Sequence, residues 1–319
     1  MSRVKGPLFL FLAFSLAGSS VVSARFVSGK LGLFTIAAVS LLLALLFLIT
    51  MCGRALIDSL RGFTAAKFRP LALQALMGIF LFRMFLLTGL NHTSSVEAGI
   101  LTGATPAITA MLSQLILKEA PDWKKRVGIL CSVGGVLLIQ GLMEGGTAFT
   151  GGHLLGNFLV LCAAGCESGF NILSRITAVQ EKSNGQKPLG PLVQTTLVTA
   201  IALGYCLLPA LFEHPLERLG ALGIREWLAL FWYGLFVTAL GFVFWYAGIK
   251  RCGGFTAAAF SGLMPFVSLL LSVWVLGEQA GWRQWLGGLM VVLGMALIAT
   301  GGTHTKLPLR AAKEGVLFK

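Results

Sequence analysis

The chain has 319 residues, of which 56% are hydrophobic and only 12% charged, with a formal net charge of +13. A soluble domain carries about 25% charged residues, so a water-soluble fold is excluded and the solvent must be largely lipid. The positive excess does not mark a nucleic-acid binder, because it falls between apolar runs in the pattern of membrane topology.

Apolar runs of about twenty residues predict ten spans, at 7–24, 32–51, 70–90, 94–117, 125–143, 153–174, 191–212, 226–248, 254–276 and 283–301. The first begins with Arg3 and Lys5, continues through an apolar stretch from Leu8 to Leu16 and ends near Val22-Ser23-Ala24. That order imitates a signal peptide. Cleavage would leave nine spans and unpair the halves, so the run is read as a retained helix, with Ser19, Ser20 and Ser23 along it. The third span carries Arg83. The fourth opens with Glu97 and continues through Thr102, Thr105, Pro106 and Thr109, with Glu119 just past its end. A glycine-rich joint runs from Glu144 to Gly152, and Lys182 to Pro191 is a polar loop. The sixth span carries Glu167, Ser168 and Asn171; the eighth carries Phe242, Trp245 and Tyr246. The ninth carries Ser261 and Pro265, with Glu278 at its end.

Alternating the sides of the ten spans sorts the basic residues. Arg25, Lys30, Arg218, Arg225 and Arg283 fall on one side, Arg83 lies within a span, and all other Lys and Arg fall on the opposite side. The positive-inside rule then puts both termini in the cytoplasm of a multi-pass protein of the cell membrane.

Residues 89–140 match residues 248–299 without a gap. Gly89, Pro106, Glu119, Trp123, Gly128 and Gly135 fall on Gly248, Pro265, Glu278, Trp282, Gly287 and Gly294. Duplication governs the fold. Five spans per copy is an odd number, so the second copy is inverted. The expected fold is an all-α integral membrane protein of ten transmembrane helices in two inverted five-helix repeats, 1–146 and 147–302, with a basic tail at 303–319. Such inverted repeats build transporters, with the solute site between halves near the midplane.

These segments resemble the EamA-type family of the drug/metabolite transporter superfamily. The resemblance rests on Pro106 to Leu138 and Pro265 to Leu297, each a Pro-containing helix, a Lys118-Glu119 or Gly277-Glu278 step, a Trp-bearing turn and a Gly-rich helix. Gly234 to Arg251 resembles the family's eighth helix, and Leu155-Gly156-Asn157 and Ser174-Arg175 the ends of its sixth. It implies transport of small organic solutes. Ala17-Gly18-Ser19-Ser20 and Ala38-Val39-Ser40 depart from the family's usual cavity-facing residues.

Charges at membrane depth need a cavity or a partner. Counting from the cytoplasmic ends puts Arg83 about 20 Å in and Glu167 about 12 Å in. One reading gives Arg83 a substrate anion and Glu167, with Asn171, a coupled proton or a cationic group; the other makes them a structural ion pair or lets Arg83 snorkel. Ser19, Ser20, Thr102, Thr105, Trp245 and Tyr246 are further candidates for an amphipathic pocket. Pro106, Pro265, Glu119 and Glu278 read as gating or structural residues, and Glu97 as a helix cap.

The function expected is secondary active export of small organic metabolites, such as amino acids, by alternating access. A multidrug exporter is the alternative. A membrane-embedded enzyme is disfavoured, since no nucleophile or metal cluster is visible, and neither a metal nor a cofactor is expected. Cys52, Cys131, Cys162, Cys166, Cys206 and Cys252 have no metal-ligand spacing. The expected partners are a small-molecule substrate and the bilayer, with no nucleic acid; a homodimer is left open.

Overall fold

The computed structural model describes residues 2–27, 29–61, 64–93, 101, 105–117, 122–139, 154–183, 189–277 and 280–300. Among them the regular elements are all helical. Helix α1 is Ser2–Val27 and α2 is Leu33–Cys52. Gly53 then adopts φ 50° and turns the chain into the short amphipathic α3, Arg54–Arg61. Helix α4 is a continuous run of Ala65–Ala75, a π-helical stretch Leu76–Leu81, and Phe82–Leu90. Helices α5 (Thr105–Ile116), α6 (Trp123–Ile139), α7 (Leu154–Ser183), α8 (Pro191–Leu211) and the short α9 (Pro215–Leu219) follow. Helix α10 repeats the construction of α4: Ile224–Phe231, a π-helical Trp232–Leu240, then Gly241–Ile249. The chain ends in α11 (Gly254–Ser261), α12 (Leu263–Leu276) and α13 (Trp282–Thr300).

Among the described residues, five helical stretches are long and apolar enough to cross a membrane: Leu33–Cys52, Lys67–Gly89, Leu154–Gln180, Pro191–Leu211 and Ile224–Ile249. Thr105–Ile116, Ala259–Val275 and Trp282–Ile298 are shorter and apolar. The radial distribution of polarity also fits lipid. Leu46, Leu130, Leu208, Leu293 and Trp274 are exposed, whereas Gln74, Ser168, Asn171 and Gln194 are buried. Water would penalise the first set; hydrocarbon penalises polar groups left on the outside.

The packing is regular. Helix α6 lies along α13, α2 along α8, and α5 beside α11; α1 packs on α10 and α12, while α7 packs on α4 and α5. The α6–α13 seam is made of glycines. A Cβ at Gly128 would strike the Gly294 carbonyl oxygen, and one at Gly135 the Gly287 carbonyl oxygen. One index rises as the other falls, so the two helices are antiparallel. Small residues permit this backbone-on-backbone approach, which is how apolar helices find attraction where lipid removes the hydrophobic drive.

Pro265 sits in the first turn of α12, just after the break at Gly262. Its missing N–H cannot bond the Ser261 carbonyl, which accounts for the break between α11 and α12. Pro106 is buried in the first turn of α5. Glu97, Glu119, Glu278 and Thr102 lie outside the described residues, as do the joint at 146/147 and the tail 303–319.

Candidate functional site

The α4–α7 contact sets the level of the two candidate charges. The helices run antiparallel: a Cβ on Gly78 would meet the Phe170 ring, one on Gly89 would meet Val160, and Thr93 Oγ1 donates to Asn157 Oδ1 at 2.5 Å. Interpolating between these contacts puts Arg83 level with Glu167 to within about two residues, or ~3 Å of helix rise. The sequence count separated them further because it ended the sixth span at 174, whereas α7 runs on to Ser183.

Level as they are, the two charges do not form an ion pair; each turns to a hydroxyl. Arg83 Nη2 donates to Tyr233 Oη at 3.2 Å, and its guanidinium lies over the Tyr233 ring, 5.4 Å from the centroid. Glu167 Oε2 accepts from Thr105 Oγ1 at 3.3 Å. Beside it Thr109 Oγ1 donates to Ser168 Oγ at 3.0 Å and accepts from Asn171 Nδ2 at 3.5 Å. Glu167, Asn171 and Thr105 therefore share one polar seam between α7 and α5. Arg83 belongs to another, between α4 and α10.

The other candidates are dispersed around these seams. Ser19 Oγ donates to the Leu16 carbonyl and accepts from Trp232 Nε1 at 3.0 Å. Ser20 offers its carbonyl to Ser23 Oγ at 3.0 Å, so its part is in the α1 backbone. Trp245 stacks on Phe170 with 5.7 Å between centroids and meets Phe14 edge-on at 5.5 Å. Its indole Nε1 is buried with no acceptor. Tyr246 is fully buried and donates to Gln74 Oε1 at 2.8 Å.

The structure adds residues that pattern reading passed over. Gln74 is fully buried, accepts also from Gln194 Nε2 at 3.2 Å, and donates to Thr177 Oγ1 at 3.0 Å. Glutamines within apolar spans were the available signal. At the opposite end, Glu213 caps α2: its carboxylate accepts from Phe34 N at 3.1 Å, and from Thr35 N and Thr35 Oγ1 at 2.7 Å each. A carboxylate at a helix N-terminus satisfies orphan N–H groups and suits the helix dipole. Lys30 pairs with Glu226 nearby. Among the described residues, no group of three or more His, Cys, Asp or Glu could hold a metal ion.

The family model described as the EamA-like transporter family matches the chain twice, at residues 4–141 and 154–300. Among curated relatives, an uncharacterized transporter, YetK, of Bacillus subtilis (strain 168) is 28% identical over 291 residues, covering 90% of this chain and 84% of its own. A WAT1-related protein, At3g53210, of Arabidopsis thaliana is 22% identical, covering 72% and 67%. One solved crystal structure superposes with a TM-score of 0.74 at 21% identity, covering 92% of this chain and 96% of that one. That likeness shows a shared fold.

Proposed function

The chain belongs to the EamA-like transporter family, and from that premise we propose that it is a secondary active exporter of small organic metabolites, such as amino acids, working by alternating access between two inverted five-helix repeats. Membership makes it a multi-pass membrane transporter of the drug/metabolite transporter superfamily; the substrate, direction and mechanism are our reading. In that reading both termini are cytoplasmic and the membrane is the plasma membrane.

The observation that carries the reading is the invariance of the packing. Replace each helix by its counterpart in the other half: α1 by α7, α2 by α8, α4 by α10, α5 by α11 and α12, α6 by α13. The pairs α6–α13, α2–α8 and α5–α11 return to themselves, α1–α10 becomes α7–α4, and α1–α12 becomes α7–α5. The glycine contacts obey the same exchange, since Gly128 and Gly135 are the counterparts of Gly287 and Gly294. An antiparallel pair that maps onto itself supports an axis lying in the membrane plane, as inverted repeats require.

Arg83 and Glu167, level and each hydrogen-bonded to a hydroxyl rather than to an opposite charge, then suit the two ends of a small zwitterion, Arg83 taking the carboxylate and Glu167 the ammonium group or a coupled proton. Trp245 Nε1 offers a further donor, and the rings of Phe14, Phe170 and Phe242 an apolar wall. The same wall favours lipophilic compounds in the multidrug alternative. The test is a metabolite screen with purified protein in liposomes, with and without a pH gradient. Counterflow of an amino acid that weakens in Arg83→Ala is the expected result. If folded protein moves no small solute under any gradient, the reading fails. Unchanged pH-dependent transport in Glu167→Gln would remove the proton role alone.

A further inference from the structure

Helices α4 and α10 meet through long side chains at two places. Toward the end where α4 begins and α10 finishes, Tyr246 Oη donates to Gln74 Oε1 at 2.8 Å. Toward the other end, Arg83 Nη2 donates to Tyr233 Oη at 3.2 Å. About 13 Å of α4 separates the two contacts. The first end also carries Lys67, Arg175, Lys250 and Arg251 and is here the basic end.

The two contacts are counterparts. Carrying the register of 89–140 on 248–299 back along α4 puts Gln74 on Tyr233 and Leu87 on Tyr246. Exchanging the halves therefore turns the Gln74–Tyr246 contact into one between Tyr233 and Leu87. Arg83, one helical turn before Leu87, makes it. The backbone repeats the relation. The π-helical stretch Leu76–Leu81 lies between Gln74 and Arg83, and its counterpart falls within the π-helical Trp232–Leu240 that holds Tyr233. A π segment breaks the regular i to i−4 ladder and is a place where a helix bends.

The surroundings differ at the two ends. Gln74 is a hub: it binds Thr177 of α7, Gln194 of α8 and Tyr246 of α10, and it, Gln194 and Tyr246 are all fully buried. One residue of the first half thus ties three helices of the second. The Arg83–Tyr233 contact is a single bond backed by a half-buried guanidinium over the ring.

We propose that Gln74–Tyr246 and Arg83–Tyr233 are the two gates of the molecule, the first on the basic side of the Arg83–Glu167 level and the second closing that level itself from the other end, and that they open in alternation as α4 and α10 bend at their π-helical stretches. The proposal rests on the transport reading and deepens it. A solute anion reaching Arg83 competes directly with Tyr233 for the guanidinium, so binding loosens the gate beside it, while the Gln74 hub holds the basic end shut. Neither gate bond is between opposite charges, so each breaks at modest cost.

The test is hydrogen–deuterium exchange of the full chain in lipid nanodiscs, comparing Tyr246→Phe and Tyr233→Phe with wild type; each removes one hydroxyl and no ring. With Tyr246→Phe, exchange rises about fivefold, the weight of one net hydrogen bond, in 191–198 and 241–249, and falls in 82–90 and 224–231. Tyr233→Phe gives the reverse pattern, and Gln74→Leu reproduces Tyr246→Phe. The fall on the far side is decisive, because local loosening raises exchange near the substitution and leaves the other end unchanged. Variants that change only their own end, or raise both, overturn the proposal. If that happens while wild type transports in liposomes, the gates fall and the transport reading stands; if reciprocity holds while wild type moves no solute, the gates stand and the transport reading falls.

Discussion

Alanine at Gly135 tests the packing on which the proposed repeat symmetry rests. The new Cβ would strike the Gly287 carbonyl oxygen and lie 2.8 Å from Val291 Cγ2 and 2.9 Å from Val291 N. Two of those atoms are backbone and cannot rotate aside, so α6 and α13 must separate. Overpacking of this kind costs about 1–3 kcal/mol, more than the ~1 kcal/mol that alanine gains over glycine in a helix. The neighbouring Gly134 is the internal control: its Cβ would meet only Met290 Cε, at 3.3 Å, the mobile end of a flexible side chain. Gly134→Ala should therefore melt at or slightly above wild type, and Gly135→Ala clearly below it. Gly294→Ala, the repeat counterpart of Gly135→Ala, would bring its Cβ to 2.5 Å from the Gly128 carbonyl oxygen and 3.0 Å from Ser132 N and should cost about as much. Thermal unfolding in detergent, followed by tryptophan fluorescence, reads all three. Equal midpoints for Gly134→Ala and Gly135→Ala would refute the seam, and unequal costs at Gly135 and its counterpart Gly294 would refute its symmetry.

Three further outcomes are expected. Glu213→Ala uncaps α2 and should lower stability by about 1–2 kcal/mol, with Glu213→Gln in between, measured by the same melts. Lys30→Ala removes a pair whose lysine is mostly exposed and should change stability by less than about 1 kcal/mol, leaving uptake into liposomes intact. Arg83→Lys keeps the charge but loses the planar stack on Tyr233; solute affinity should fall while the protein still melts near wild type, and unchanged affinity would argue against Arg83 as a ligand.

Much of the architecture was legible because it is written by strong forces. Helix positions follow from apolar run length, and the longer described helices overlap the predicted runs; α7 extends past its predicted end, α1 and α4 begin before theirs, and the short α3 and α9 lie in no predicted span. The duplicated Pro, Trp and Gly residues marked equivalent helices, and Gly128, Gly135, Gly287 and Gly294 prove to be a contact rather than a mere compositional bias. The site was less legible. Arg83 and Glu167 stood out as charges in apolar runs, but their partners Tyr233 and Thr105 lie far off in the chain, and no periodicity encodes such pairings. Gln74 and Gln194 were hidden among residues of ordinary helix propensity; only the approach of four helices gives one amide three partners. The π-helical stretches were invisible for a related reason. Leu76–Leu81 and Trp232–Leu240 have the composition of any membrane helix, and the extra residue per turn is imposed by packing.

The glycine seam between α6 and α13 has a mechanical corollary. Where main chain rests on main chain there are few rotamers to rearrange, and only short side chains such as Ser132, Val291 and Ile298 flank the contact. Such a joint stores little adjustability: it behaves as a stiff spine, fixed in length and pitch. In the proposed cycle, movement would then fall to parts of the bundle whose contacts are long, polar and reversible.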